Sequence, residues 1–206
     1  MHDPYIMHKL AMRTFTTLTT ILTLASVASA ATTETYQLEK THADLLFSIN
    51  HAGFTEKHGS FREFDATLYY DRSKRENSRI TVTVQTRSLD TAFPARDEDV
   101  RGEAFLDVTR YPEMRFESTK VTLGGHGALR IDGSLTLRGI TRPLTLQAHL
   151  NKEGPNAFDH RPTLGFSAMG SIRRSDFGMS KFLPLIGDIV SITIEVEFNR
   201  PAKDTE

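Results

Sequence analysis

Apolar and polar residues alternate along most of the chain after residue 32, and the clearest case lies near the C-terminus. One face of residues 190–198 carries only Val, Ile and Phe, whereas the other face carries only Ser, Thr and Glu. Because successive side chains of a strand point to opposite faces, this period of two predicts a half-buried β-strand.

The same alternation recurs upstream and predicts eight or nine antiparallel strands joined largely as hairpins. Gly124-Gly125-His126-Gly127 and the segment 138–143 supply the turn residues, with Pro143 expected at a strand entrance. A short helix is predicted over 95–102, where Asp97 and its neighbours suit a helix N-terminus. The other predicted strands are 36–38, 45–50, 61–70, 80–84, 114–121, 129–137, 144–150 and 164–168.

Strands with one apolar face can stack as a sandwich or close as a barrel, and alternation does not decide between the two. It also leaves open whether the apolar face points inward or toward lipid. The polar faces carry both signs of charge, and the chain has no Trp and no paired aromatic girdles, which disfavours an outer-membrane barrel.

The first thirty residues have the pattern of a secretory signal peptide. Lys9 and Arg13 precede an apolar, threonine-rich run at 15–27, and Ala28-Ser29-Ala30 follows it. We therefore expect export to the periplasm with cleavage after Ala30, a single domain over 31–200 and a polar tail over 201–206. Translation starts at Met1, Met7 or Met12 are all compatible with this pattern.

Composition narrows the function classes. The 206 residues have a formal net charge of −1 and no basic stripe with interleaved aromatics, which disfavours nucleic-acid binding. The absence of Cys excludes disulfides, thiolate metal sites and a Cys nucleophile. Thirteen Phe residues supply large apolar side chains with no polar atom, which suits a core or an apolar cavity.

Five stretches, in this order and at these separations, resemble the YceI-like family over about residues 36–198. They are SINHAGF (48–54) with GSFREF (59–64); SLDT (88–91) with Arg96-Asp97 and Phe105-Leu106; Tyr111-Pro112 leading to Phe116; GSLTLRGITRP (133–143); and RSDFGM (174–179) ahead of Gly187-Asp188.

The resemblance implies an all-β, eight-stranded antiparallel lipocalin-like barrel with a short helical segment near one end. It also implies a long apolar interior that a polyisoprenoid chain can thread. An eight-stranded barrel is about wide enough to hold one slender ligand. Gly133, Ala148 and Ala168 fall on apolar faces, and their small size is expected to leave room inside.

Twelve residues are the candidates for ligand contact. For the apolar ones the alternative is an ordinary filled core. His51 and the two arginines are candidates for a ligand headgroup, while the plainer interpretation is that the arginines brace the barrel ends. The candidates are Phe47, Val82, Val84, Phe116, Leu135, Leu146, Phe166, Ile192, Ile194, His51, Arg96 and Arg174.

These observations favour a non-enzymatic periplasmic carrier of a polyisoprenoid or quinone-type lipid that requires no cofactor. A metal site from His42, His51 and His58 is weakly indicated, because no HExxH pattern is present. The alternatives are a small enzyme acting on an isoprenoid or quinone in the same cavity, and a stress-induced structural protein of the envelope. Transient membrane contact and a symmetric homodimer are both compatible with the carrier.

Overall fold

Ten strands, one α-helix and three 3₁₀ turns make up the computed structural model, which describes Met1 and residues 33–201. The predicted signal segment, its cleavage site after Ala30 and most of the polar tail lie outside the described residues. The strands are β1 (Thr33–His51), β2 (Thr55–Phe61), β3 (Phe64–Asp71), β4 (Arg79–Gln85), β5 (Leu89–Asp90), β6 (Glu113–Leu123), β7 (Ala128–Leu137), β8 (Ile140–Pro155), β9 (Pro162–Arg173) and β10 (Ile186–Asn199). The helix α1 is Pro94–Arg101, and the 3₁₀ turns are Arg75–Asn77, Thr86–Ser88 and Arg174–Phe177.

Eight of the strands close into an antiparallel barrel, which confirms the predicted fold class. Their order is β1-β3-β4-β6-β7-β8-β9-β10, and β10 pairs back onto β1 to complete the circle. The short strands β2 and β5 extend the sheet at one end, where β2 pairs with the last six residues of β1 and β5 pairs with β2. Closure satisfies the edges that an open sheet would expose.

The apolar faces of the strands point into the barrel. Phe47 of β1 lies opposite Ile192 of β10, and both pack against the main core cluster. A second cluster, which includes Leu164 and Phe198, lies toward the other end. Alternation alone had left open whether the strands stack as a sandwich or close as a barrel, and whether their apolar faces point inward. The structure shows a closed barrel whose apolar faces point inward.

No helix within residues 33–201 has both the length and the apolar character needed to cross a membrane.

The helix end of the barrel gathers the loops that matter for the site. We use this name for the end formed by α1, the β1–β2 turn, the Arg174–Phe177 turn and the segment 178–185. The opposite end, called the hairpin end, carries the 124–127 turn and the 156–161 turn between β8 and β9. The predicted helix over 95–102 is confirmed at Pro94–Arg101, with Pro94 in the first turn where its missing N–H costs nothing.

Two strand boundaries differ from the prediction. Segments 36–38 and 45–50 belong to one strand, β1, which continues through a register shift between Leu38 and Ala43. Conversely, 61–70 is broken at Arg62 and Glu63. The backbone N–H of Arg62 donates to Ser88 and the carbonyl of Glu63 accepts from Gln85, so these groups leave the β1 ladder.

The predicted turn over 138–143 is also shorter than expected. Arg138 and Gly139 alone form it, both with positive φ, as two-residue hairpins require. Pro143 therefore lies inside β8, paired with Ser134, and not at its entrance. Its ring is tolerated because β8 pairs with β9 only from Gln147 onward, so residue 143 sits on a locally free edge.

Asp71 ties the end of β3 to the turn that leads into β4, and its acid dependence is testable. Its carboxylate accepts hydrogen bonds from the Ser73 hydroxyl at 2.7 Å and the Lys74 N–H at 2.9 Å. These bonds lower the pKa of Asp71 below its usual 3.8.

A folded pKa below the unfolded one means that this carboxylate stabilises the fold above about pH 4 and that the contribution disappears as pH falls through the folded pKa. We expect Asp71→Asn to lower Tm at pH 7, and the difference from the parent protein to shrink as pH falls through the folded pKa. Thermal melts across this range measure the difference. Asp44→Asn, which removes an exposed carboxylate, is the control; a pH-independent deficit in Asp71→Asn would contradict the assignment.

Candidate ligand-binding cavity

The barrel interior contains two cavities stacked along its axis. The helix-end cavity has a volume of about 430 Å³, and the hairpin-end cavity about 160 Å³. Sites for small organic ligands span about 300–1,000 Å³, so the first cavity alone is of ligand size. From Ile186 to Ile194 on β10, the helix-end cavity extends about 20 Å along the axis, at about 3.3 Å per residue and a strand tilt of about 40°.

The inward side chains keep part of their surface accessible, which shows that the lumen is not a filled core. Leu45, Phe47, Val82, Ile192 and Ile194 are all half-buried although they point inside. In a close-packed interior such residues would be fully buried.

All twelve sequence candidates lie on a cavity wall, although nothing in the structure tests ligand contact itself. Phe47, Val84, Leu135, Ile192, His51, Arg96 and Arg174 line the helix-end cavity; Phe166 lines the hairpin-end cavity; and Val82, Phe116, Leu146 and Ile194 line both.

Five residues line both cavities and therefore lie at the boundary between them. We call this set the girdle: Leu45, Val82, Phe116, Leu146 and Ile194. They come from β1, β4, β6, β8 and β10, so five of the eight barrel strands contribute to this level of the lumen. Direct pairing of Leu45 with Ile194 and of Val82 with Phe116 places each pair at one level.

Gly133 does not leave open room as the sequence suggested. A methyl group at this position would meet the Phe116 ring at 2.4 Å, so the ring already fills the space over the glycine. The other two small residues behave as expected: Ala148 and Ala168 lie opposite each other and line the hairpin-end cavity.

Charged groups occur at the rim of the helix-end cavity, whereas its deeper wall is hydrocarbon. Five of the six charged or titratable side chains are basic: His51, Lys57, Arg96, Arg115 and Arg174, against Asp99. Arg115 is already paired with Glu113 at 2.7 Å. The rim therefore favours an anionic or oxygen-bearing group, and the interior favours an apolar chain.

Arg174 is built into the wall as a structural group. Only 3% of its surface is exposed, and its three guanidinium nitrogens donate to the carbonyls of Gly187, Met179 and Ile186. Burial lowers the pKa of Arg174 from its usual value. These bonds fasten Met179 and the first two residues of β10 to the end of β9, so the bracing role considered from the sequence fits this arginine.

Arg96 is held more loosely at the same rim. Its Nε and Nη2 donate to the hydroxyl and carbonyl of Thr91, and Asp97 accepts from the hydroxyl and N–H of the same threonine. Thr91 thereby anchors the first turn of α1. Nε and Nη2 are bonded to Thr91, and within residues 33–201 Nη1 has no hydrogen-bond acceptor, so it can donate to an oxygen at the cavity mouth.

Several wall residues were not predicted from the sequence. Phe105, Met179 and Phe182 line the helix-end cavity but lie in irregular segments, where period-two alternation gives no signal. Leu45 and Ile49 lie on β1 and were readable from their alternation with Phe47. Phe64, Ala66 and Leu68 of β3 were readable in the same way for the hairpin-end cavity.

Among residues 33–201 no three His, Asp or Glu side chains converge as metal ligands, and His42, His51 and His58 form no such group.

A closed antiparallel barrel with an apolar lumen and a charged rim defines the class of internal-cavity binding barrels. Within that class the chain belongs to the YceI-like family, whose domain matches residues 36–198.

Relatives support this placement. A UPF0312 protein of Enterobacter sp. (strain 638) is 36% identical over 164 residues, covering 79% of this chain and 84% of the relative. A UPF0312 protein of Yersinia pestis (strain Pestoides F) is 34% identical over 164 residues, covering 79% and 84%.

Solved structures show the same fold. The Campylobacter jejuni YCEI protein is 26% identical, with a TM-score of 0.68 and coverage of 74% of this chain and 90% of that one. Burkholderia cenocepacia BcnA is 20% identical, with a TM-score of 0.71 and coverage of 78% and 98%. A polyisoprenoid binding domain from Saccharophagus degradans is 12% identical, with a TM-score of 0.60 and coverage of 81% and 98%.

The bracing role of Arg174 predicts a stability effect that its exposed neighbour lacks. We expect Arg174→Met to lower the free energy of unfolding by about 2–4 kcal/mol, because one buried and two half-buried carbonyls lose their donor. Arg173→Met removes an exposed arginine that approaches Asp188 at 3.6 Å, and should cost less than about 1 kcal/mol. Urea unfolding compares the two, and equal losses would contradict the bracing role.

Proposed function

We propose that this protein binds an isoprenoid-type lipid, a polyprenyl chain or quinone tail, in the helix-end cavity and carries it through the periplasm. The observation that carries the proposal is the cavity of about 430 Å³, whose wall is hydrocarbon up to a basic rim. Membership of the YceI-like family and the polyisoprenoid binding of the Saccharophagus relative support the ligand class.

The physical chemistry favours a long apolar chain over a compact polar ligand. Each buried methylene contributes about 0.8 kcal/mol, so roughly a dozen contribute on the order of 10 kcal/mol before the cost of immobilising the chain. A polar ligand would find few partners along the deep wall and would lose its hydrogen bonds to water.

The rim gives the bound lipid a direction. The oxygen-bearing headgroup lies at the helix end, near Arg96 and Lys57, and the chain runs from there toward the girdle. Arg174 contributes positive potential but keeps its donors on backbone carbonyls. We assign no cofactor and no catalytic step to this arrangement.

The periplasmic part of the proposal rests on the signal-like segment 1–30. Cell fractionation tests it directly. Recovery of a chain that starts at residue 31 in the periplasmic fraction supports the assignment, and a full-length cytoplasmic chain contradicts it.

Filling the lumen should abolish cargo binding. We expect Ile192→Trp to co-purify with at least tenfold less lipid than the parent, measured by mass spectrometry of organic extracts, because the indole occupies the chain's path. Ser191→Trp, one residue away on the outer face of β10, is the matched control and should keep its cargo. Thermal melts verify that both variants fold. An empty parent protein that also ignores added isoprenoids would refute the proposal, as would undiminished lipid in Ile192→Trp.

The girdle predicts a limit on chain length. Phe116→Leu removes part of the ring that separates the two cavities, so a bound chain should extend into the hairpin-end cavity. Competition between isoprenoids of increasing length should show the variant's preference shifted to longer chains. Phe166→Leu replaces an aromatic side chain that lines only the hairpin-end cavity, and it is the control for a general loss of packing. If Phe116→Leu and the parent prefer isoprenoids of the same length, the girdle does not limit chain length.

A further inference from the structure

Large apolar side chains are exposed beside the cavity mouth on two neighbouring loops. Phe54 in the β1–β2 turn is 86% exposed, Leu185 is 66% exposed and Phe182 is 55% exposed. The loops are joined by a hydrogen bond from the Ala52 N–H to the Leu185 carbonyl at 2.7 Å. Together with Lys57 and Lys181 we call Phe54, Phe182 and Leu185 the mouth lip.

A hydrogen-bonded turn presents Phe54 to solvent. Ala52 and Gly53 both have positive φ, the Gly53 N–H donates to the Asn50 side chain at 2.8 Å, and the Phe54 N–H donates to the His51 carbonyl at 3.0 Å. A fixed turn that presents a nearly fully exposed aromatic, next to two more exposed apolar residues, is a mark of an interaction surface.

The charge of the mouth lip is basic. The ammonium of Lys181 lies 4.8 Å from the centre of the Phe182 ring, and Lys57 reaches the cavity rim. Two carboxylates lie nearby. Asp188 is offset by Arg173 at 3.6 Å, whereas Glu56 accepts a hydrogen bond from the neutral Asn50 amide and keeps its negative charge beside Lys57.

The mouth lip is also continuous with the lumen. Phe182 and Lys57 line the helix-end cavity, whereas Phe54 and Leu185 do not. A partner seated on the lip would therefore border the cavity entrance directly.

We propose that the mouth lip docks onto an anionic lipid bilayer. Aromatic and aliphatic side chains at its tip enter the interface between headgroups and acyl chains, and the two lysines meet the negative surface. This contact goes beyond cavity binding and supplies a path by which a lipid passes between bilayer and lumen without crossing water.

Vesicle flotation tests the docking with the purified protein, comparing vesicles that contain phosphatidylglycerol with vesicles of phosphatidylcholine alone. We expect tighter binding to the anionic vesicles, weakened by salt. Each lysine near the surface contributes about fivefold, so Lys181→Gln should lower the affinity by that factor.

Two phenylalanines at opposite ends of the barrel provide a matched pair. Phe54→Ser should weaken vesicle binding by at least about tenfold, because one inserted aromatic is lost. Phe158→Ser removes an aromatic that is 92% exposed in the hairpin-end turn and should have no effect. Equal losses in both variants, or no vesicle binding by the parent, would overturn the proposal.

The same variants separate docking from cavity binding. Because Phe54 lines neither cavity, Phe54→Ser should still bind a short-chain isoprenoid in a vesicle-free assay. If the parent protein binds isoprenoid but not vesicles, cavity binding stands and bilayer docking by the mouth lip is refuted. If it binds vesicles through Phe54 but binds no isoprenoid, bilayer docking stands and cavity binding is refuted. If analytical ultracentrifugation shows a dimer that Phe54→Ser dissociates, and vesicles are ignored, the lip is a contact between copies and the proposal fails.

Discussion

The pairing of β10 with β1 is the constraint on which the rest of the structure depends. Without it the eight main strands would form an open sheet with one apolar face against water and two unpaired edges. Closure turns that face inward on every strand at once, so the lumen and its lining arise from a single ladder of hydrogen bonds. The long β1 serves this purpose because its other edge accommodates β3 and β2 in succession.

The polarity of the lumen follows from where the loops lie. Strand interiors contribute alternating apolar residues and therefore give hydrocarbon walls along the whole axis. The charged groups of the rim come from α1, the turn beginning at Arg174 and the ends of strands, which all gather at the helix end. The change in polarity from the basic rim to the apolar interior thus follows from strand alternation together with the sequences of the loops at the helix end.

Much of this was readable from the sequence, and the failures have identifiable causes. Strands such as β7 and β10 show clear alternation, and the nine apolar candidate residues reach a cavity wall because alternation fixes their face. His51, Arg96 and Arg174 came instead from the family-like stretches, and they line the helix-end cavity from the end of β1, from α1 and from the Arg174–Phe177 turn. Phe105, Met179 and Phe182 were missed because loops have no periodicity to read. The filling of the space over Gly133 by Phe116 depends on a cross-strand contact, which a single sequence does not reveal.

The girdle shows that closing the barrel and shaping its interior depend on different groups: backbone hydrogen bonds close the barrel, and side chains shape the interior. Its five side chains come from five strands, yet none of them contributes its side chain to the hydrogen-bond ladder that closes the barrel. Substitution at these positions changes the depth of the lumen while the backbone scaffold stays the same. Divergence within such a scaffold can therefore proceed by changing a few hydrophobic positions, so that the shape of the internal space varies while the architecture is kept.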